Sequence, residues 1–269
     1  MRADLVRDSW REQRLLWWGY AVAWSVLVGM YLAAWPVVRG SGQRYDALVA
    51  HLPDAMRSLL GSTGPGGLST AGGYLTAELL AFTGPVLAAA MGIVVATRAV
   101  AGDEESGAME LLLAQPVRRS RVVLAKSAAT AGGLVLVLLA PLTLLVAAAP
   151  GAGLPLSAMA ALRALAMLAL LAVEAAALGV LAAALTGSVG RSRAIAGGIA
   201  MGAFLLHVLG PLISPLRAAA AWSPFQVVVA SDPFRHPVGM APVLELLLPA
   251  VALTLAAAAV LSRRDLRFP

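Results

Sequence analysis

The 269-residue sequence has no cysteine, and a single lysine, Lys126, stands among its 20 basic residues. Only 13% of it is charged. Without cysteine there is neither a disulfide framework nor a thiolate metal cluster. Charge this sparse, beside 60% hydrophobic residues and a mean hydropathy of +0.83, excludes a soluble globular enzyme, in which roughly 25% of residues are charged. The same apolar excess excludes a disordered or collagenous chain. The bilayer is the solvent this composition fits. No GxxxxGK[ST] or GxGxxG pattern occurs, and Lys126 follows Ala125 instead of a glycine, so the chain encodes no nucleotide site. The abundance of Ala, Gly, Leu and Arg is that of a GC-rich bacterial genome.

What is present is a series of apolar runs long enough to span hydrocarbon, which takes about 20 residues per helix. They cover 17–38, 76–101, 122–149, 157–186, 194–214 and 243–262. The fold expected is an all-α membrane protein forming a single transmembrane domain over 1–269. Pro85, Pro141, Pro211 and Pro249 predict kinks within or beside the runs. The net charge of +6 and a pI near 10.7 do not indicate nucleic acid, because the arginines flank apolar runs and do not cluster on a soluble face. Fourteen basic residues fall on the side of the N-terminus, the 102–121 loop with the flanking Arg98 and Lys126, Arg191, Arg193 and the C-terminus, and Arg163 lies near a helix end. Five (Arg39, Arg44, Arg57, Arg217 and Arg235) fall on the other. The positive-inside rule then places both termini in the cytoplasm of a multi-pass inner-membrane protein.

Residues 1–16 place Leu5, Val6 and Trp10 on one arc and Arg7, Asp8, Arg11 and Arg14 on the other, predicting an interfacial helix with no cleavage site after it. The outer loop 39–75 predicts a short helix over Tyr45–Leu60, from the spacing of Leu48, Leu52, Met56 and Leu59, followed by a Gly/Ser/Thr-rich turn. A second outer loop covers 215–242.

The cytoplasmic loop 102–121 predicts a helix capped by Asp103, with Glu104 and Glu105 at its positive end, Pro116 as its stop and Arg118, Arg119 and Arg121 beyond. Met109, Leu112 and Leu113, at i, i+3 and i+4, form an apolar ridge exposed to the cytoplasm. An apolar centre with charged flanks is the anatomy of a protein contact.

The stretch Glu104 to Lys126, EESGAMELLLAQPVRRSRVVLAK, resembles the membrane subunits of bacterial ATP-binding cassette (ABC) transporters of the type 2 permease class. Trp222-Ser223-Pro224-Phe225 with Asp232, Pro233 and Gly239, and the ending Arg263-Arg264-Asp265-Leu266, resemble that family's last outer loop and C-terminus. The resemblance implies an interfacial helix, six spans and a coupling helix between spans 2 and 3. That helix would dock on a separate ABC ATPase through Glu104, Glu105, Met109, Glu110, Leu112 and Leu113, with Arg118 and Arg119 at its basic edge. It further implies two copies of the ATPase, which carry ATP and Mg, and a second permease subunit, identical or paralogous. This chain would bind no cofactor and have no catalytic residue or metal site of its own. Gly179, Gly187, Gly190, Gly197, Gly198 and Gly202 are candidates for close helix contact, within the chain or across such a dimer. The implied activity is export of an amphiphilic, drug-like or lipid-like substrate.

Ionisable groups inside the membrane cost about 2.5–3.5 kcal/mol at the bilayer centre and default to functional candidates. Glu174 in the fourth run is the deepest, about 21 Å below Ala160 at 1.5 Å per residue. His207 in the fifth differs from it in depth by about 10 Å, so no direct pair is expected. Arg163, Glu78 and Glu245 fall near outer helix ends, where an ion pair among them is expected unless each snorkels. Two other readings stay open. A proton-coupled secondary transporter would use Glu174, but no internal repeat relates spans 1–3 to 4–6. A membrane-embedded enzyme needs a polar constellation, and His51 and His236 fall in outer loops while His207 is alone in a span.

Overall fold

The structure, a computed structural model, describes residues 14–51, 67–109 and 118–264, the side chains of 42–46 and 48–50 aside. Among the described residues there is no strand. Among the same described residues, six helices are long and apolar enough to cross a membrane. They are α1 (Arg14–Ala50), α2 (Ala71–Glu105), α3 (Arg119–Ala148), α4 (Ala158–Thr186), α5 (Val189–Leu209) and, after the short helix α6 (Pro224–Ala230), α7 (Met240–Arg263). The all-helical membrane fold expected from the sequence is the fold observed. Residues 1–13, where an interfacial helix is expected, lie outside the described residues.

Helix α4 is the hub, packing on α2, α7, α3 and α5. In its most apolar window 67% of residues are buried, and 61% in α2, against 22% in α1 and 17% in α5. The α2–α4 contact is close because small residues line it. Ala88, Ala89 and Ala96 are buried on one side, and Ala172, Ala176 and Ala183 on the other. A Cβ at Gly92 would collide with the Ala172 carbonyl, and one at Gly179 would stand 3.3 Å from Ile93 Cα. Without a hydrophobic drive between helices in lipid, such backbone approach is what dispersion forces reward. Gly179 is thus used inside the chain. Gly190, Gly197, Gly198 and Gly202 on α5 face open space.

Helix α2 is not uniform. Thr76–Thr83 is π-helical and ends against Pro85, which has no N–H to give to the carbonyl four residues back. The Gly84 N–H reaches back five residues to the Leu79 carbonyl instead. Pro36, Pro141 and Pro249 lie inside α1, α3 and α7. Pro211 lies beyond α5, which ends at Leu209 and not near 214, since proline disfavours helix in the residue before it.

Helix α1 differs from expectation at its outer end. The short helix expected from Tyr45 does not stand alone: α1 continues unbroken through Gly40 and Gly42 to Ala50. Its C-terminal half is held by polar contacts to neighbours. The Trp35 indole donates to the Gly153 carbonyl (3.0 Å), the Tyr74 hydroxyl donates to the Tyr31 carbonyl (3.0 Å), and the Tyr31 hydroxyl donates to Thr83 (3.1 Å).

Candidate functional site

The sequence motif of greatest interest, Asp103-Glu104-Glu105, ends α2 at the arginine-rich face of the bundle. Asp103 does not cap a new helix, as the sequence reading expected. Gly102 and Asp103 both keep helical φ/ψ, so α2 runs straight through them. The break comes at Gly107, whose φ of +75° suits glycine. Each carboxylate is then free to reach a different part of the chain.

Asp103 pairs with Lys126 of α3, whose ammonium also donates to the Ala99 carbonyl at 2.6 Å. Lys126 is 6% exposed. Glu104 takes a two-pronged ion pair from Arg264 just past α7, Nη2 to Oε1 at 2.6 Å and Nη1 to Oε2 at 3.4 Å. Arg264 Nη1 also donates to the Ala184 carbonyl (2.9 Å), and its own carbonyl accepts from Arg119 Nη1 (2.7 Å). Gly187, left-handed at φ +63°, ends α4 beside this pair, where any Cβ would strike Glu104 and Arg264. Glu105 accepts from the Val189 backbone N–H (2.9 Å), a carboxylate at the positive end of α5. Arg193 Nε donates to Thr97 (3.3 Å), adding a tie from α5 to α2. The end of α2 is therefore locked to α3, α4, α5 and the segment after α7.

This geometry corrects the exposed ridge. Met109 is 2% exposed and belongs to the chain's own apolar core, so it offers no surface to a partner. Gly107 separates the end of α2 from the residues that follow, and Met109 packs into the core, where burial of a large thioether is favourable. Glu110, Leu112 and Leu113 lie outside the described residues. Arg118 is exposed where the chain re-enters at α3, whereas Arg119 is turned toward Arg264.

Among the intramembrane groups, Glu174 lines a cavity of about 250 Å³ together with residues of α2, α5, α6 and α7. Its Oε2 is buried without a hydrogen-bond partner. His207 is engaged elsewhere, its Nδ1 2.7 Å from Gln226 Oε1 and its ring beside Phe204. The ion pair expected among Arg163, Glu78 and Glu245 does not form within 4.0 Å. Arg163 Nε is buried without a partner, and Glu245 lines a separate cavity of about 680 Å³ with Arg217 and Gln226. Similar depth did not translate into the same side of each helix.

The family model described as "ABC-2 family transporter protein" matches residues 5–267, nearly the whole chain. The chain belongs to this family. No curated protein matches it. It is a multi-pass membrane component of a transporter.

The opposite end of α2 in this ABC-2 protein is also tied. Thr76 donates to Asp232 Oδ1 (3.0 Å), and Asp232, at φ +38°, pairs with Arg235 (3.4 Å), whose side chain lies over Gly72 and Gly73. The Asp232 noted in the last outer loop thus holds that loop to α2. Sequence reasoning did not single out Lys126, Arg264 or Arg193 as partners of named groups. The one available signal was the lone lysine in a chain that otherwise places arginine at every basic position.

Proposed function

We infer that this ABC-2 protein is the permease subunit of an ATP-driven exporter in a bacterial inner membrane, with both termini cytoplasmic. A separate ATPase, present in two copies, supplies ATP hydrolysis, and a second permease subunit completes the translocation path. The observation that supports this reading is the lock on the end of α2. A push delivered to the loop after Met109 reaches α3, α4, α5 and the end of α7 at once through Lys126, Arg264 and Val189. Rigid-body switching between two packings needs such a connection, because a loosely held loop would absorb the displacement. Leu112 and Leu113 remain the residues assigned to the ATPase groove, with Glu110 and Arg118 at its rim; the buried Met109 anchors the loop from behind. The cargo is an amphiphilic, drug-like or lipid-like molecule, consistent with spans rich in Ala and Leu and poor in fixed charge.

The test is co-expression with a candidate ABC ATPase subunit, followed by purification through a tag on the permease. Recovery of a stable complex whose ATPase activity rises with substrate is the expected result. A permease that purifies alone and moves substrate on a proton gradient without ATP would replace this reading with a secondary transporter.

A further inference from the structure

Helices α5 and α7 both pack on α4, yet neither packs extensively on the other. The crevice left between them is the cavity of about 250 Å³, with α4 as its floor. Leu171 and Glu174 rise from the floor, Ala200 stands on the α5 side and Leu253 on the α7 side, Ala89 of α2 lies behind, and Phe225 of α6 closes one end. No basic side chain lines it. Among the described residues Glu174 is its only ionisable wall residue, and one carboxyl oxygen is fully buried with nothing to accept from. His207, the histidine within α5, does not line the crevice and is committed to Gln226.

We propose that this crevice binds a lipophilic ammonium ion, an apolar body bearing one protonated amine, with Glu174 as its counter-charge. Shape and charge select this class. An inorganic cation needs several oxygen ligands, and hydrocarbon walls supply none beyond the one carboxyl group. An anion would meet a carboxylate with no cation beside it. A neutral hydrocarbon would leave the carboxyl group unsatisfied in an apolar setting, the costly arrangement that pairing relieves. An ammonium ion donates to Glu174, its body replaces apolar contacts along Leu171, Ala200 and Leu253, and the Phe225 ring adds a face attractive to cations. The crevice lies within the spans, so such a ligand can reach it from the bilayer, where amphiphilic amines concentrate.

The proposal rests on the exporter reading only for the direction in which the ligand then travels. Its test uses the permease alone, so failure here leaves that reading standing. Purified full-length chain in nanodiscs is titrated with tritiated 1-aminoadamantane and with 1-adamantanol, the same cage carrying a neutral hydroxyl, and binding to empty nanodiscs is subtracted. Saturable binding of the amine about tenfold or more tighter than the alcohol is expected, the scale of one charge-assisted hydrogen bond. Glu174→Gln should bring the amine down to the level of the alcohol and leave the alcohol unchanged. Ala200→Phe, which fills the crevice without touching the charge, should abolish both. A measurement on the unaltered protein accompanies these: the amine, and not the alcohol, should protect Glu174 from dicyclohexylcarbodiimide, read by peptide mass spectrometry. Equal binding of amine and alcohol, an amine preference retained by Glu174→Gln, or labelling of Glu174 that the amine leaves unchanged would each overturn the proposal.

Discussion

Arg264 Nη2 stands 2.6 Å from Glu104 Oε1, so residues 160 positions apart hold the end of α2 against the segment following α7. The side chains are 21% and 9% exposed, an ion pair largely shielded from water. Removing one partner of a fully buried pair costs about 3–5 kcal/mol; with Arg264 partly solvated, Glu104→Gln should cost on the order of 2 kcal/mol. The reversed pair Glu104→Arg with Arg264→Glu should recover most of this in thermal unfolding in detergent. An equal loss in the single and reversed variants would mean that the two side chains do not sense each other.

The pair between Lys126 and Asp103 makes a stricter test, because Lys126 is almost wholly enclosed. Lys126→Met alone strands a carboxylate and should destabilise by about 3 kcal/mol or more, whereas Lys126→Met with Asp103→Asn should lie closer to the parent protein. The Ala99 carbonyl loses its donor in both variants. Additive losses in the double-mutant cycle would remove the lock from the mechanism proposed for α2.

Glycines separate the two kinds of helix contact. Gly92→Ala drives a methyl group into the Ala172 carbonyl and should cost about 1–3 kcal/mol, as overpacking does. Gly198→Ala meets nothing within 4 Å and should leave unfolding of the isolated subunit unchanged. If α5 meets a second permease subunit, the same Gly198 change should weaken dimerisation in crosslinking. An effect on monomer stability would mean that the α5 surface is already covered within the chain.

Orientation is testable with single cysteines, since the native chain has none. Trp222 is 89% exposed, and Ser41 is also exposed, at the end opposite the acidic lock. Cysteines at these two positions should react with an impermeant thiol reagent added to intact cells, and cysteines replacing Ser106 or Arg191 should not. Ser192 is unsuitable as an inner site because it is fully buried, bonded to Thr186 and to the Ser188 carbonyl. Labelling at position 106 from outside would invert the topology.

The number of spans was legible in the sequence because each is a long run in which apolar residues far outnumber the rest, a property of composition and length alone. The lock was only half legible. Asp103, Glu104 and Glu105 announced themselves as a cluster, but local capping rules assign such residues to their own helix end. Their partners sit at Lys126, Val189 and Arg264. Which distant chain ends meet is settled by packing around α4, where Gly92 and Gly179 allow α2 to lie close, and no local spacing reports that. For the same reason Arg163, Glu78 and Glu245 matched in depth but did not meet: depth follows from residue count, whereas facing depends on helix rotation, which interior packing fixes. Met109 fits an i, i+3, i+4 ridge by spacing, but spacing does not report which way a ridge faces. The left-handed Gly107 separates Met109 from α2, and Met109 is buried in the chain's own core.

The burial of Met109 sharpens the test of the loop itself. If residues after Met109 dock on an ATPase, the two sides of the loop should fail differently when given a charge. Met109→Asp puts a carboxylate into the permease core, where a buried unpaired charge costs several kcal/mol or forces local unfolding. That variant should lose thermal stability even when expressed without the ATPase. Leu112→Asp should leave the permease inserted and stable, because nothing about it threatens the spans. It should instead abolish ATPase co-purification and ATP-driven transport together, since a charge in the desolvated centre of a contact acts where binding energy is concentrated. Leu113→Asp should behave in the same way, and Arg118→Ala, at an exposed edge, should weaken association by about tenfold or less. A Leu112→Asp permease that retains its ATPase and transports normally would show that the loop rests on lipid, and the ATPase contact would then have to lie elsewhere on the arginine-rich face.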